Sequence, residues 1–323
     1  MTISARDRLR GGLLGLLVGD ALGVPYEFHP ARAIPPLESI EMTPPPGFRR
    51  AHASVPPGTW SDDGAQALVL LRRLLDDGRL DVDRFAAGLV AWQDQGWYAV
   101  DSRVFDIGVQ THAALRAVRS GVPPLEAGPA RGRANGNGSL MRVLPMALWH
   151  NGTDGELVRD AIDQSRVTHG HLRAQVCCAV YCLWARRLLS GMPPAPAWRD
   201  AIAAADLLWP KWSPKHAELH DVILPVESAA AEPSRITGDG YVVSSLRAAV
   251  HLVARGEPVD YEWVVRSAIA LGDDTDTTAC IAGGVAGLVV GERGIPERWL
   301  AALREREETV EPLLEALCAR HGA

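Results

Sequence analysis

Strand signals are almost absent from this sequence of 323 residues: few segments alternate apolar and polar residues, so a sandwich, a barrel or a central sheet has little to be built from. An apolar run able to cross a membrane is missing too. The longest uncharged one, 277–291, is short of the roughly 20 residues a span requires and is broken by glycines. The opening Met-Thr-Ile-Ser-Ala-Arg-Asp-Arg carries mixed charge and lacks the build of a secretion signal. Five cysteines make an odd number without a C-x-x-C pair, and Cys177, Cys178 and Cys182 share one apolar stretch with no histidine cluster beside them, which predicts buried thiols in a reduced, cytoplasmic protein.

Further absences narrow the chemistry. There is no Gly-Lys-Ser/Thr phosphate loop, no strand ahead of a dinucleotide fingerprint, and no Ser/His/Asp arrangement for nucleophilic catalysis. A net charge of −6 and a pI near 5.9 argue against a general nucleic-acid binder, leaving room only for a local basic pocket. The basic residues are nearly all Arg. No coiled-coil seam or long exposed apolar stripe is evident, so a monomer is expected.

What is present is helical. With 47% apolar and 22% charged residues the chain can bury a large core. Apolar spacing predicts a first helix over 5–21, then helices near 62–77, 82–95, 103–119, 139–150, 155–166, 171–190, 197–208, 241–255, 259–271, 276–291 and 305–320. No fixed-period repeat or linker divides them, so the expectation is one all-α domain over residues 1–323. Gly11, Gly15, Gly19 and Gly23 recur every fourth residue, as do Gly283, Gly287 and Gly291; such rows let backbones approach closely, and the two helices are predicted to lie side by side. Residues 28–58 hold eight prolines and read as a long surface loop, lid-like, with Glu27 at its root.

Two clusters carry the densest chemistry. Leu271-Gly-Asp-Asp-Thr-Asp-Thr-Thr278 crowds Asp273, Asp274 and Asp276 ahead of an apolar helix, and Trp60-Ser-Asp-Asp-Gly64 does the same some two hundred residues earlier. Either alone reads as a generous N-cap. Together they suggest a shared site of hard oxygen ligands, suited to magnesium, manganese or calcium rather than zinc. Gly132-Arg-Ala-Asn-Gly-Asn-Gly-Ser139 has the backbone freedom to cradle a phosphate, although taken alone a plain glycine-rich turn is the better reading. Asp106 follows Trp97, Tyr98 and Phe105 and offers either a further carboxylate or an ordinary cap. His169 and His171 point to different faces if helical, which disfavours a metal pair and favours contact with a substrate. Tyr241 sits in a Gly-rich entry to a helix, which by itself is only a turn.

In order, Gly19-Asp-Ala-Leu-Gly23 with Glu27, Ser61-Asp-Asp63, Asn135-Gly-Asn-Gly-Ser139, Thr168-His169, Gly240-Tyr-Val242 and Asp274-Thr-Asp-Thr277 resemble the ADP-ribosylglycohydrolase family, from about residue 8 to residue 291. The resemblance implies a compact, orthogonal all-α bundle with two Mg2+ or Mn2+ ions in a cleft. It places the metal ligands on Ser61, Asp62, Asp63, Asp274, Asp276 and Thr277, and the acid or base among Glu27, Asp62 and Asp106. The loop of Asn135, Gly136, Asn137, Gly138 and Ser139 would hold the diphosphate of ADP-ribose, with His169 and Tyr241 nearby. Two departures stand out: Ser61 replaces a frequent Thr, and Asp273 stands where Gly is common. The implied reaction is hydrolysis of the bond between ADP-ribose and an acceptor, with ADP-ribosyl-arginine on protein favoured. Serine, nucleic-acid or O-acetyl conjugates, and an inactive ADP-ribose binder, are the rival expectations.

Overall fold

The computed structural model describes residues 3–230, 236–255 and 258–322, and among these every regular element is helical. At its centre lie α1 (Ala5–Gly23) and α13 (Thr275–Val290), packed antiparallel along their whole lengths. The glycine rows are the reason. A Cβ built on Gly15 would stand 2.5 Å from Gly283 O, and one on Gly283 would stand 2.5 Å from Gly15 O, so neither position admits any side chain. Gly19 is likewise pressed on Ala279, and Gly23 on Asp276. This contact brings the C-terminus of one central helix onto the N-terminus of the other, which fixes where the cleft forms.

Other helices enclose this pair. Around α13 pack α12 (Tyr261–Ile269), α11 (Val242–Ala254) and α8 (Leu172–Leu189); beside α1 pack α2 (Asp62–Asp77), α6 (Leu144–Trp149) and α15 (Glu311–Arg320). Further out are α3 (Val82–Gln95), α4 (Val109–Arg119), the single turn α5 (Pro124–Ala127), α7 (Asp154–Arg166), α9 (Pro194–Leu208), α10 (Pro214–Ala230) and α14 (Glu297–Ala302). Local signals set many boundaries: Thr153 and Glu156 close a capping box on α7, and Gly78 and Gly96, both at positive φ, end α2 and α3. The main apolar core reaches from Leu9 to Leu317 and Cys318, with a small separate cluster of Ile236 and Ala248, and all five cysteines are free and buried within the protein.

Several expected helices begin later than their apolar spacing suggests. The segment predicted from 103 becomes helical only at Val109, because Asp106 at φ 54° breaks the run. The one predicted from 139 starts at Leu144, after the turn that holds Ser139 and Arg142. The stretch from 305 opens as a π-turn and becomes α15 at Glu311. Helices α10 and α14 were not anticipated; Pro214 opens α10, and its Leu219 and Val222 are buried.

The 28–58 segment is not simply a surface loop. Ile40, Met42 and Val55 are buried; Tyr26 Oη donates to Glu41 O at 2.9 Å, and Arg266 Nε of α12 donates to Ile40 O at 3.0 Å. Anchored in this way, the segment presents only its two ends, near Phe28 and His52, to the cleft.

Candidate active site

The two acidic clusters, more than two hundred residues apart in sequence, meet where α1, α2 and α13 converge. Asp20, fully buried near the end of α1, accepts hydrogen bonds from Ser61 N at 2.9 Å and Gly64 N at 2.8 Å, so one carboxylate pins the start of α2 to the central helix. Ser61 caps α2, its Oγ accepting from Asp63 N at 3.3 Å. Thr277 Oγ1 of α13 then donates to Asp63 Oδ1 at 3.3 Å and joins the clusters directly. Asp62 Oδ2 accepts from Gln66 Nε2 at 2.8 Å, and Gln66 Oε1 in turn accepts from the buried Arg142 at 2.7 Å. Arg142 is thus a cation set one residue back from the acids, donating also to Gln164 Oε1 at 3.1 Å and Gln164 O at 3.0 Å.

Glu27, Phe28, His52, Asp106 and Asp273 form the rim. Glu27 Oε2 lies 2.6 Å from His52 Nε2, and Asp106 Oδ1 lies 4.0 Å from the same nitrogen. Four rim residues hold positive φ: Phe28 (62°), His52 (45°), Asp106 (54°) and Asp273 (58°). Such backbone costs of order 1–3 kcal/mol per residue and persists only where its surroundings impose it. Here they do: Phe28 N donates to Asp273 O and Asp273 N to His29 O, both at 2.7 Å, stitching the loop root to the α13 cluster. The same φ explains why Gly suits position 273, and the Asp273 side chain, in exposed surroundings, points to the mouth of the cleft.

The far wall comes from the Gly/Asn segment. A Cβ on Gly138 would come 2.8 Å from His169 Cε1, which requires glycine there by close approach, while one on Gly136 would meet only the end of Gln110, 2.8 Å from its Oε1. Asn137 Nδ2 donates to Asp274 Oδ2 at 2.7 Å and to Ser245 Oγ at 2.9 Å, tying this wall to the second acidic cluster. Ser139 faces away, its hydroxyl 2.8 Å from Ser165 Oγ in the core. Asn135 accepts from Val242 N through its carbonyl at 3.0 Å, beside Tyr241, whose hydroxyl accepts from Arg173 Nη1 at 2.9 Å. The resulting cleft has a volume of about 580 Å³. Glu27, Asp62, Asp63, Asp106, Gly136, Asn137, Gly138, His169, Asp274 and Thr277 line it; Ser61, Asn135, Ser139, Tyr241 and Asp276 stand behind that surface.

Electrostatics make the arrangement unusual. The lining carries seven carboxylates and neither Lys nor Arg, and the buried acids of the two clusters and the rim are held above their ordinary pKa. Burial, then Asp106, Asp274 and Asp62, push Glu27 up to about 10; burial alone outweighs the amide hydrogen bonds on Asp20 and leaves it at about 7. Asp62, Asp63 and Asp276 are raised well above the usual range, again by burial first and then by their acidic neighbours, while Asp106 and Asp274 are raised less. His169 is driven down to about 3 by burial and by Arg142, so its ring is neutral, with Nδ1 2.8 Å from Thr168 Oγ1. Burial also lowers His52. At their 2.6 Å contact the raised Glu27 and the lowered His52 both favour their neutral forms when no cation is near.

The donor set fits divalent cations. Asp63 Oδ2 and Asp276 Oδ2 are buried and have no hydrogen-bond partner among the described residues, and one oxygen each from Glu27, Asp274 and Asp276 lie within 4.8 Å of one another. Unpartnered buried carboxylate oxygens are costly without a counter-charge, and oxygen donors of this kind suit hard ions. Sequence reasoning overlooked Asp20, His52 and the Gln66–Arg142 relay. Asp20 had a visible signal, the one charged residue in the apolar stretch 11–23 of α1; His52 had none, because only the folded loop brings it to Glu27.

Comparison with known proteins agrees with this geometry. The family model for ADP-ribosylglycohydrolase matches residues 1–322, and the chain belongs to that family, a class of glycosidases. It is 31% identical to an ADP-ribosylarginine hydrolase Tri1 of Pseudomonas putida, over 92% of this chain and 74% of that protein. It is 27% identical to the ADP-ribosyl-[dinitrogen reductase] glycohydrolase of Rhodospirillum rubrum, over 99% of this chain and 98% of the other. A solved structure described as an ADP-ribosylglycohydrolase-related protein complex superposes with a TM-score of 0.78 at 34% identity, covering 98% of both chains. No helix among the described residues is long and apolar enough to cross a membrane.

Proposed function

We propose that this protein hydrolyses the glycosidic bond between ADP-ribose and an arginine side chain of a modified protein, using two Mg2+ or Mn2+ ions held by Ser61, Asp62, Asp63, Asp274, Asp276 and Thr277. The observation that carries the reading is the pair of buried, unpartnered oxygens, Asp63 Oδ2 and Asp276 Oδ2, on the two helix starts that meet at the cleft. Two such ions, when bound, supply Lewis acidity towards sugar hydroxyls and water. The relatives that act on ADP-ribosyl-arginine and on ADP-ribosylated dinitrogen reductase favour a protein-linked N-glycoside. The reading takes residues 1–323 as one working unit, as the continuous core supports.

The chain's own groups supply the proton chemistry. Glu27 Oε2 and Asp106 Oδ1 both face His52 Nε2, so this rim holds the groups that can give a proton to the departing acceptor nitrogen and take one from water. Gly136 and Gly138 keep the opposite wall low enough for a diphosphate to lie against backbone, with neutral His169 beneath it. Phe28, 68% exposed at the rim, offers an apolar face to the remainder of the nucleotide.

The test is release of ADP-ribose from an arginine-ADP-ribosylated protein, with Mg2+ or Mn2+ and with chelator, for the wild type and for Asp62→Asn and Asp274→Asn. Cation-dependent release that either substitution abolishes supports the reading. Binding of ADP-ribose without release from arginine would overturn the acceptor assignment, and serine, nucleic-acid and O-acetyl conjugates would then be compared in the same assay.

A further inference from the structure

Away from the cleft, α9 and α10 bring three ligand-bearing side chains to one point. His216 and His220 are four residues apart on α10 and share a face of that helix, and Asp206 meets them from α9. His216 Nε2 lies 2.9 Å from Asp206 Oδ1, His220 Nε2 lies 3.5 Å from the same oxygen, and the two Nε2 atoms are 3.3 Å apart. Asp206 Oδ1 is closed off from solvent, and no described donor is aligned with it. Two imidazole nitrogens and a carboxylate oxygen therefore aim at a common centre. Hydrogen bonding accounts poorly for all three separations at once, since the short-range proton on any one nitrogen can serve only one edge of the triangle.

A metal ion accounts for all three. With bonds of about 2.0–2.1 Å from a tetrahedral zinc to imidazole nitrogen and carboxylate oxygen, neighbouring donors stand about 3.3 Å apart, and the three measured separations bracket that edge. Two imidazoles and one carboxylate select late first-row ions over magnesium, which prefers oxygen and six ligands. The His220 side chain is 54% exposed, so water can complete the fourth position. None of the three residues lines the cleft, and the set is separate from the carboxylate centre.

We infer that Asp206, His216 and His220 form a second metal site, for zinc or a closely similar late divalent ion, which clips α10 to α9. The clip has a route to the cleft. Glu218, between the two histidines in sequence, accepts from Arg173 Nε, and Arg173 Nη1 donates to Tyr241 Oη at 2.9 Å, next to the Asp239–Gly240 edge of the cleft. Fixing α10 thus braces the support of Tyr241 without entering the reaction.

The experiment uses the full chain stripped with chelator and titrated with ZnCl2 in excess Mg2+, followed by calorimetry and by the visible spectrum of the Co2+-loaded form. One Zn2+ per chain is expected, with a tetrahedral Co2+ spectrum. Losing an outer-shell partner costs roughly 10–100-fold in affinity, so losing a ligand in His220→Ala or Asp206→Asn lowers it by about 100-fold or more. Circular dichroism of both variants matches the wild type, their Mg2+-dependent activity is kept, and Asp62→Asn retains the zinc site. Folded wild type that takes up no zinc in excess Mg2+, or uptake unchanged in both variants, overturns the inference. So does uptake lost in Asp62→Asn yet kept in His220→Ala, which would place the ion in the cleft.

Discussion

Replacing Asp276 by Asn should make the metal-free protein more stable while removing its response to cations. The Asp276 carboxylate is fully buried; Oδ1 accepts from Thr277 N at 2.8 Å, a bond the amide keeps, Oδ2 has no partner among the described residues, and one of its oxygens lies within 4.8 Å of oxygens of Glu27 and Asp274. Burial first, then Glu27 and Asp63, hold its pKa well above 3.8 in the folded chain. A raised folded pKa contributes stability that is complete below the unfolded value and is lost as pH rises, because the folded state then holds a proton that the unfolded state releases. Asn carries no such dependence. Each unit of pH above about 4 therefore widens the gap in favour of the variant by up to about 1.4 kcal/mol. By pH 7 that slope sets a ceiling of about 4 kcal/mol, and sharing of protons among the neighbouring acids keeps the gap below it. Urea unfolding of both proteins in chelator at pH 4.5, 6 and 7 measures it. With Mg2+ added, the wild type should gain stability and the variant gain little. A variant no more stable than wild type at pH 7 in chelator, or a gap that does not grow with pH, would refute the reasoning.

Two further outcomes follow from the geometry. Asp20→Ala removes the acceptor for the Ser61 and Gly64 amides; it should cost about 1–3 kcal/mol in denaturant unfolding and weaken Mg2+ binding by roughly 10–100-fold, read by calorimetry, and unchanged cation affinity would show that Asp20 does not position the cluster. Gly15→Val forces a side chain into Gly283 O and should lower stability by about 3 kcal/mol or more, whereas Gly47→Ala, where nothing lies within 4 Å, meets only the backbone strain of its φ of 87° and should cost about 1–2 kcal/mol.

The sequence by itself determined the all-α character, since helical spacing dominates and strand patterns are scarce. It also determined the pairing of α1 with α13, because two glycine rows at helical spacing have one efficient use, and both acidic clusters as helix starts that form one site. These are local or periodic signals, legible in a single chain. It did not determine what lies beside what once a loop has folded. Only the tertiary structure set His52 against Glu27, turned Ser139 into the core and Asn137 towards Asp274, and buried the middle of the 28–58 segment that prolines marked as surface. Arg142 and the Asp206–His216–His220 triangle belong to the same category, as does the use of Asp20 to pin Ser61 and Gly64. Each depends on contacts between helices distant in sequence, where side-chain direction and burial decide chemistry, and neither is encoded by the composition of the segment that carries the residue.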